Sequence, residues 1–94
     1  MTVAEIIRDQ IRAQDRMVFA AWGAKEFVNM GKGLKFKVGG MARYKGYVYV
    51  KLDEGADLYN IDFFRIRNLE VKVDKAVEGV YADQLVEIID DYVG

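Results

Sequence analysis

Serine, cysteine, histidine and proline are all absent, and Thr2 carries the only hydroxyl outside the tyrosines. Three of these absences remove the common nucleophiles, the usual general base near neutral pH and the soft metal ligands. Chemistry would fall to carboxylates, lysines, arginines and tyrosines, which serve binding surfaces more often than turnover. The chain is therefore expected to be non-catalytic, with no cofactor and no metal. Without cysteine no disulfide supports the fold, so packing must, and the composition fits a reducing compartment. Long apolar runs are missing too. Met17 to Ala24 is the longest uncharged one, far short of the roughly 18–20 residues of a membrane span. Glu5 and Asp9 interrupt the N-terminal apolar residues, which is not signal-peptide organisation. A cytoplasmic protein with no membrane partner is the expectation.

What is present is ordinary for a folded domain: 52% hydrophobic and 31% charged residues in 94 positions. Residues 1–94 are read as one domain, because a chain of this size buries about 60–65% of its unfolded surface, enough for one modest core. The net charge of −1 is unevenly spread. Residues 23–51 carry seven bases against Glu26, whereas residues 52–94 carry eleven acids against four bases. Such an internal dipole orients a charged partner even when the total is near zero.

Val3, Ile7, Ile11, Val18 and Trp22 recur at helical spacing. Thr2 and Glu5 form a capping box, and Gly23 suits the helix end, so the first helix is expected over 3–22. Residues 24–33 read as a connector. The period then changes to two, with inward sets Leu34/Phe36/Val38, Val48/Val50/Leu52, Tyr59/Ile61/Phe63 and Leu69/Val71/Val73. Gly55 suits a two-residue turn pairing Leu52 with Tyr59 and Val48 with Phe63. A three-residue loop at 66–68 pairs Arg65 with Leu69 and Phe63 with Val71. Gly39-Gly40 cannot be a two-residue hairpin, because that register would set lysines against valines. A longer loop over Gly39–Lys45, or a bulge at Gly46, is expected instead. Tyr81, Leu85, Ile88, Ile89 and Tyr92 restore helical spacing, giving a second helix over 79–93. The fold class is therefore α+β: a four-stranded antiparallel meander with the N- and C-terminal helices on one face, in the order αββββα.

The uncovered face of that sheet carries Lys35, Lys37, Tyr47, Tyr49, Lys51, Asn60, Asp62 and Phe64, then Glu70, Lys72 and Asp74. Tyr47 is expected opposite Phe64 and Asp62 opposite Lys72. The result is an aromatic centre between a basic edge and a more acidic one, with Arg43 and Lys45 in the loop beside the basic edge. Three readings follow: a protein interface, self-association included; an exposed sheet merely stabilised by cross-strand pairs; and a stacking platform for single-stranded nucleic acid. No RNP-type motif accompanies the last.

Lesser signals have plain explanations. Arg8, Arg12 and Arg16 lie within reach of Glu5, Asp9 and Asp15, as a solvated ion-pair face does. Asp83, Glu87, Asp90 and Asp91 make the second helix acidic on its outer side, either a solvated face or an imitation of a phosphate backbone. Gly31-Lys32-Gly33 leads into a strand, not a helix, so it is no phosphate loop. Asp53, Glu54 and Asp57 lack the spacing of an EF-hand.

The stretch Gly33-Leu34-Lys35-Phe36-Lys37-Val38, the strand Gly46 to Leu52, and Val80-Tyr81-Ala82-Asp83-Gln84-Leu85 running into Ile88-Ile89-Asp90 resemble small orphan proteins of bacteriophages and bacterial mobile elements. The resemblance spans most of residues 22–93 and carries over no site residue. It implies a protein acting in the host cytoplasm by stoichiometric binding of a host macromolecule, with inhibition of host defence a frequent role. The leading expectation is a host-protein partner at the aromatic and basic face, formed by Tyr47, Tyr49, Phe64, Lys35, Lys37, Lys51, Arg43 and Lys45. The alternatives are a single-stranded nucleic-acid binder, a homodimer through the same face, and a sponge for a small ligand or nucleotide signal.

Overall fold

The computed structural model describes residues 1–94. Its elements are α1 (Val3–Gln14), α2 (Val18–Ala21), β1 (Lys25–Asn29), β2 (Gly33–Val38), β3 (Gly46–Asp53), β4 (Leu58–Arg67), β5 (Glu70–Val80) and α3 (Leu85–Val93), with a 3-10 turn at Ala82–Gln84 before α3. The five strands form one antiparallel meander in chain order. The helices pack on one face, over Leu34, Phe36, Val38, Val48, Val50, Ile61 and Phe63. The α+β class, the meander and the two terminal helical regions follow the sequence expectation; the strand count does not.

The fifth strand is β1, which falls in the expected connector. It is an edge strand exposed along its whole length, so it has no buried face to impose a period of two. Its pairing also skips a residue between Lys25↔Lys37 and Val28↔Lys35, with Glu26 at φ 55°. That bulge breaks any alternation left to read.

The first helical segment starts as expected, with Thr2 Oγ1 accepting the Glu5 N–H at 3.2 Å and Glu5 accepting in return from the Thr2 N–H at 3.0 Å. It stops eight residues early. Asp15 turns extended (φ −154°), and its Oδ1 accepts the Met17 N–H at 3.0 Å, a local bond that competes with the helix. The chain resumes as α2, which delivers Val18 and Trp22 to the core. Gly23 then ends it at φ +62°, where a Cβ would lie 2.7 Å from the Gly39 carbonyl oxygen.

The hairpin of β3 and β4 has the expected register, Leu52↔Tyr59, Val50↔Ile61 and Val48↔Phe63. It does not have the expected two-residue turn at Gly55: the last pair is Asp53↔Leu58, residues 54–57 form the turn, and its left-handed residue is Asp57 (φ 55°). The loop between β2 and β3 is the long one, Gly39–Lys45, and it sets Lys37 opposite Tyr47 and Lys35 opposite Tyr49. The hairpin of β4 and β5 corrects the sequence reading. Its turn is two residues, Asn68 (φ 50°) and Leu69 (φ 66°), joining the pair Arg67↔Glu70. Two left-handed residues are the mark of a type I′ turn. Arg65 consequently faces Lys72, not Leu69, and Phe64 faces Val73. This slip turns Val71 and Val73 onto the uncovered face and Lys72 and Asp74 away from it. A bulge between the pairs Phe64↔Val73 and Phe63↔Lys75 restores the parity, so that Val77 packs against the core.

The bulged residue is Asp74. Its carboxylate accepts from Arg65 Nε at 2.7 Å, Arg65 Nη2 at 3.0 Å and the Tyr44 hydroxyl at 2.8 Å. Tyr44 in turn packs at 4.9 Å against Tyr92 of α3. The hydrogen bonds from Arg65 and then from Tyr44 hold the Asp74 carboxyl below its ordinary value, and burial first, with Asp74 second, pushes the Tyr44 hydroxyl up. A depressed carboxyl contributes stability that is present above its unfolded pKa, about 3.9, and lost as pH falls through the lower folded value. Thermal melts below pH 4 are therefore expected to fall more steeply for the wild type than for Asp74→Asn, which should already be the less stable at neutral pH. Parallel acid limbs would show that the carboxylate is not held this way.

The second helix is also shorter than 79–93. Gly79 and Val80 belong to β5, with Val80 buried opposite Tyr59. The start of α3 is capped from α1: Gln14 Oε1 accepts the Val86 N–H at 3.1 Å while Gln14 Nε2 donates to the Ala82 carbonyl at 2.6 Å. No helix is long and apolar enough to cross a membrane.

Candidate functional site

Because the helices cover only one face, the other is built from alternate residues of all five strands. Pairing places Lys25 and Val28 of β1, Lys35 and Lys37 of β2, Tyr47, Tyr49 and Lys51 of β3, Asn60, Asp62, Phe64 and Ile66 of β4, and Val71 and Val73 of β5 on this side. Six of the expected site residues, Lys35, Lys37, Tyr47, Tyr49, Lys51 and Phe64, come together there.

Their environment is more structural than the sequence suggested. Tyr47 stacks on Phe64 with centroids 5.2 Å apart and planes 13° from parallel. Lys35 and Lys37 reach within 5.5 and 5.9 Å of the Tyr47 ring, and Lys51 within 5.5 Å of Tyr49. Phe64 is left only 8% exposed. Asp62 takes Lys51 as its partner at 2.9 Å, not Lys72, which lies on the opposite side of the sheet. The expected acidic edge of Glu70, Lys72 and Asp74 is thus replaced by aliphatic side chains. Ile66, Val71 and Val73 are 47, 63 and 53% exposed beside the aromatic stack, and Leu69 at the hairpin tip is 99% exposed. Sequence parity at 66–71 missed this patch because it assumed the longer turn.

The remaining expected residues separate. Arg43 does not join the basic edge; its Nη2 donates to the Asp91 carbonyl at 2.8 Å, beneath the end of α3. Lys45 stays exposed at the end of the sheet, where it lines a cleft with Lys25, Lys37, Arg65 and Arg67. Asp83, Glu87 and Asp91 are exposed on the helical side. Asp90 departs from the expected acidic face in one respect: its Oδ1 accepts the indole N–H of the fully buried Trp22 at 2.9 Å. A buried indole requires an acceptor, so this carboxylate has a structural role. No three acidic side chains converge at metal-binding distance.

The face can therefore offer cations along one side, half-buried aromatics at its centre and aliphatics at the other end. No protein-family model, curated protein or solved structure matches this chain.

Proposed function

We propose that this chain is a non-catalytic binding protein that docks a host protein on its uncovered sheet face, with the aliphatic end of the β4–β5 hairpin as the contact centre. The observation that carries this reading is the contiguous exposure of Ile66, Val71 and Val73 on a face that no helix covers. Interfaces combine an apolar, desolvated centre with a charged rim. Lys25, Lys35, Lys37 and Lys51 supply a basic rim, which fits a partner whose own contact patch is bordered by acids. Leu69 adds a second argument. A leucine in the left-handed region costs about 1–2 kcal/mol relative to glycine-like freedom, and its fully exposed side chain gains nothing from the fold. Burial against a partner would offset that cost.

Single-stranded nucleic acid fits the face less well. One side of the Tyr47 ring is occupied by Phe64, and lysines already reach toward Tyr47 and Tyr49, so a stacking base would have to displace contacts already made. The aliphatic end offers a base neither a hydrogen bond nor a ring. The resemblance to small phage proteins makes a bacterial protein the natural partner, and inhibition of a defence system a role consistent with stoichiometric docking.

The test is capture from nuclease-treated bacterial lysate on immobilised wild type, Val71→Glu/Val73→Glu and the helix-side control Glu87→Lys, read by mass spectrometry. A protein held by wild type and control but depleted about tenfold or more by the double variant is expected. Val71 is exposed beyond the stack whereas Val73 borders Phe64, so the double variant is melted beside Val71→Glu alone, which should stay close to wild type. Identical recovery on all three supports would remove the sheet face from the contact. Loss of all captured protein on nuclease treatment would replace the reading with nucleic-acid binding.

A further inference from the structure

The β4–β5 hairpin overhangs its neighbours. Tyr47 is the partner of Phe64, so Ile66 and Arg67 run past the start of β3, and β2 ends level with Gly46. Gly46 permits the close approach at this step, since a Cβ there would lie 2.7 Å from the Phe64 carbonyl oxygen and 2.9 Å from the Tyr44 ring. The step forms the floor of a cleft of about 600 Å³, inside the range of roughly 300–1,000 Å³ typical of small-ligand sites.

The lining of the cleft is one-sided in charge. Lys25, Lys37, Lys45, Arg65 and Arg67 border it, five of the fourteen bases, and none of the fifteen acids does. They come from β1, β2, the β2–β3 loop and β4, so only the fold brings them together. Lys25, Lys45 and Arg67 have no carboxylate within 4.0 Å, and Lys37 has only Glu26 at 3.9 Å. The exception is instructive. Arg65 is clamped by both oxygens of Asp74, itself fixed by Tyr44. That leaves a guanidinium in set orientation at the cleft with its remaining N–H groups unused. At the rim, the Gly40 N–H makes no hydrogen bond within the protein. Lys25, Lys45 and Arg67 are left without a carboxylate partner, and a compact polyanion would accept from them and from the free Arg65 N–H groups.

We infer that this cleft binds an oligophosphate group, either free or as the phosphate chain of a nucleotide. The Tyr47 ring beside it is already stacked on Phe64, so recognition is of the phosphates and not of a base. The site shares Ile66, Lys25 and Lys37 with the proposed docking face, but it stands on charge and shape and its test needs no protein partner.

Titration calorimetry with inorganic triphosphate and with ATP, both without magnesium, tests it. Saturable one-to-one binding of triphosphate is expected. Lys45→Ala/Arg67→Ala should weaken it about tenfold or more, because charge-assisted contacts are lost. Lys32→Ala/Arg16→Ala removes the same charge from exposed positions that do not line the cleft, and should change it less than about twofold. Equal affinities for triphosphate and ATP would identify the phosphate chain as what is recognised and uphold the site; clearly tighter binding of ATP would overturn recognition of the phosphates alone. Absence of saturable binding, or equal weakening in both variants, would overturn it. So would a single-stranded oligonucleotide bound more tightly than triphosphate with affinity rising with length, since the cations would then be part of a strand track.

Discussion

With alanine in place of Trp22, the protein is expected to lose about 3–5 kcal/mol of unfolding free energy, the usual range for emptying a buried aromatic site. Three features put this position at the severe end. The ring is fully buried and lies parallel to Phe36 (3° between planes, centroids 6.2 Å apart), with Phe19 edge-on at 6.0 Å. Its neighbours are a four-residue helix and a sheet, and a sheet cannot collapse into the void. Its N–H also ties α2 to α3 through Asp90, so the truncation leaves a carboxylate without its donor. A domain of this size has about 5–15 kcal/mol in total, and each kcal/mol moves the midpoint by about 4–8 °C. Thermal melts followed by far-UV circular dichroism should therefore drop by more than about 12 °C. Trp22→Phe, which keeps ring packing but not the N–H, should lose less. A loss below about 1 kcal/mol for Trp22→Ala would mean that the helices are not anchored through this ring.

The same residue illustrates what could be read in the sequence. Its place at the end of a helical stripe, followed by Gly23, was legible, and so was its burial. The Asp90 partner was not, because it lies 68 residues away and an acid on an amphipathic helix looks the same whether solvated or bonded. The register of β3 and β4 was legible because two clean alternations flank residues 54–57, although the left-handed residue of that turn is Asp57 and not Gly55. The argument from parity also excluded a tight turn at Gly39-Gly40, and the long loop bears this out. Reading failed where no glycine marked the turn. Asn68-Leu69 adopts a conformation that Asn accepts and leucine resists, and one misplaced residue exchanged the faces of Val71, Val73, Lys72 and Asp74. The cleft was partly foreshadowed by the basic run 23–51, which includes Lys25, Lys37 and Lys45. Arg65 and Arg67 lie in the acidic segment 52–94, and only the overhang of β4 brings them to it.

The second large loss of stability is expected at Phe64, a residue that its alternation placed among exposed binding groups. Replacement by alanine should cost about 2–4 kcal/mol, although Phe64 lies on the face without helices. The reason is geometric. Tyr47 covers it from β3 at 5.2 Å, and Val73 opposes it on β5. Its ring is therefore removed from water by a second, thin layer of side chains. The value lies at and below the low end of the aromatic range because Tyr47 and its lysines can settle into the space. A double-mutant cycle of Tyr47→Leu and Phe64→Leu should return a coupling of about 0.5–1.5 kcal/mol for the stacked pair. Chemical denaturation measures both. The consequence for function is direct: a Phe64 variant that fails to bind a partner proves little, because it also weakens the sheet that presents the face. Val71, exposed beyond the stack, carries less of this ambiguity than Val73, which borders Phe64. A partner lost by charging them, at unchanged stability, locates the contact; a partner lost only with Phe64 would show that the face matters as a scaffold. If Phe64→Ala instead unfolds within about 0.5 kcal/mol of wild type, the stack with Tyr47 contributes nothing to folding, and the aromatic centre itself becomes available as the contact.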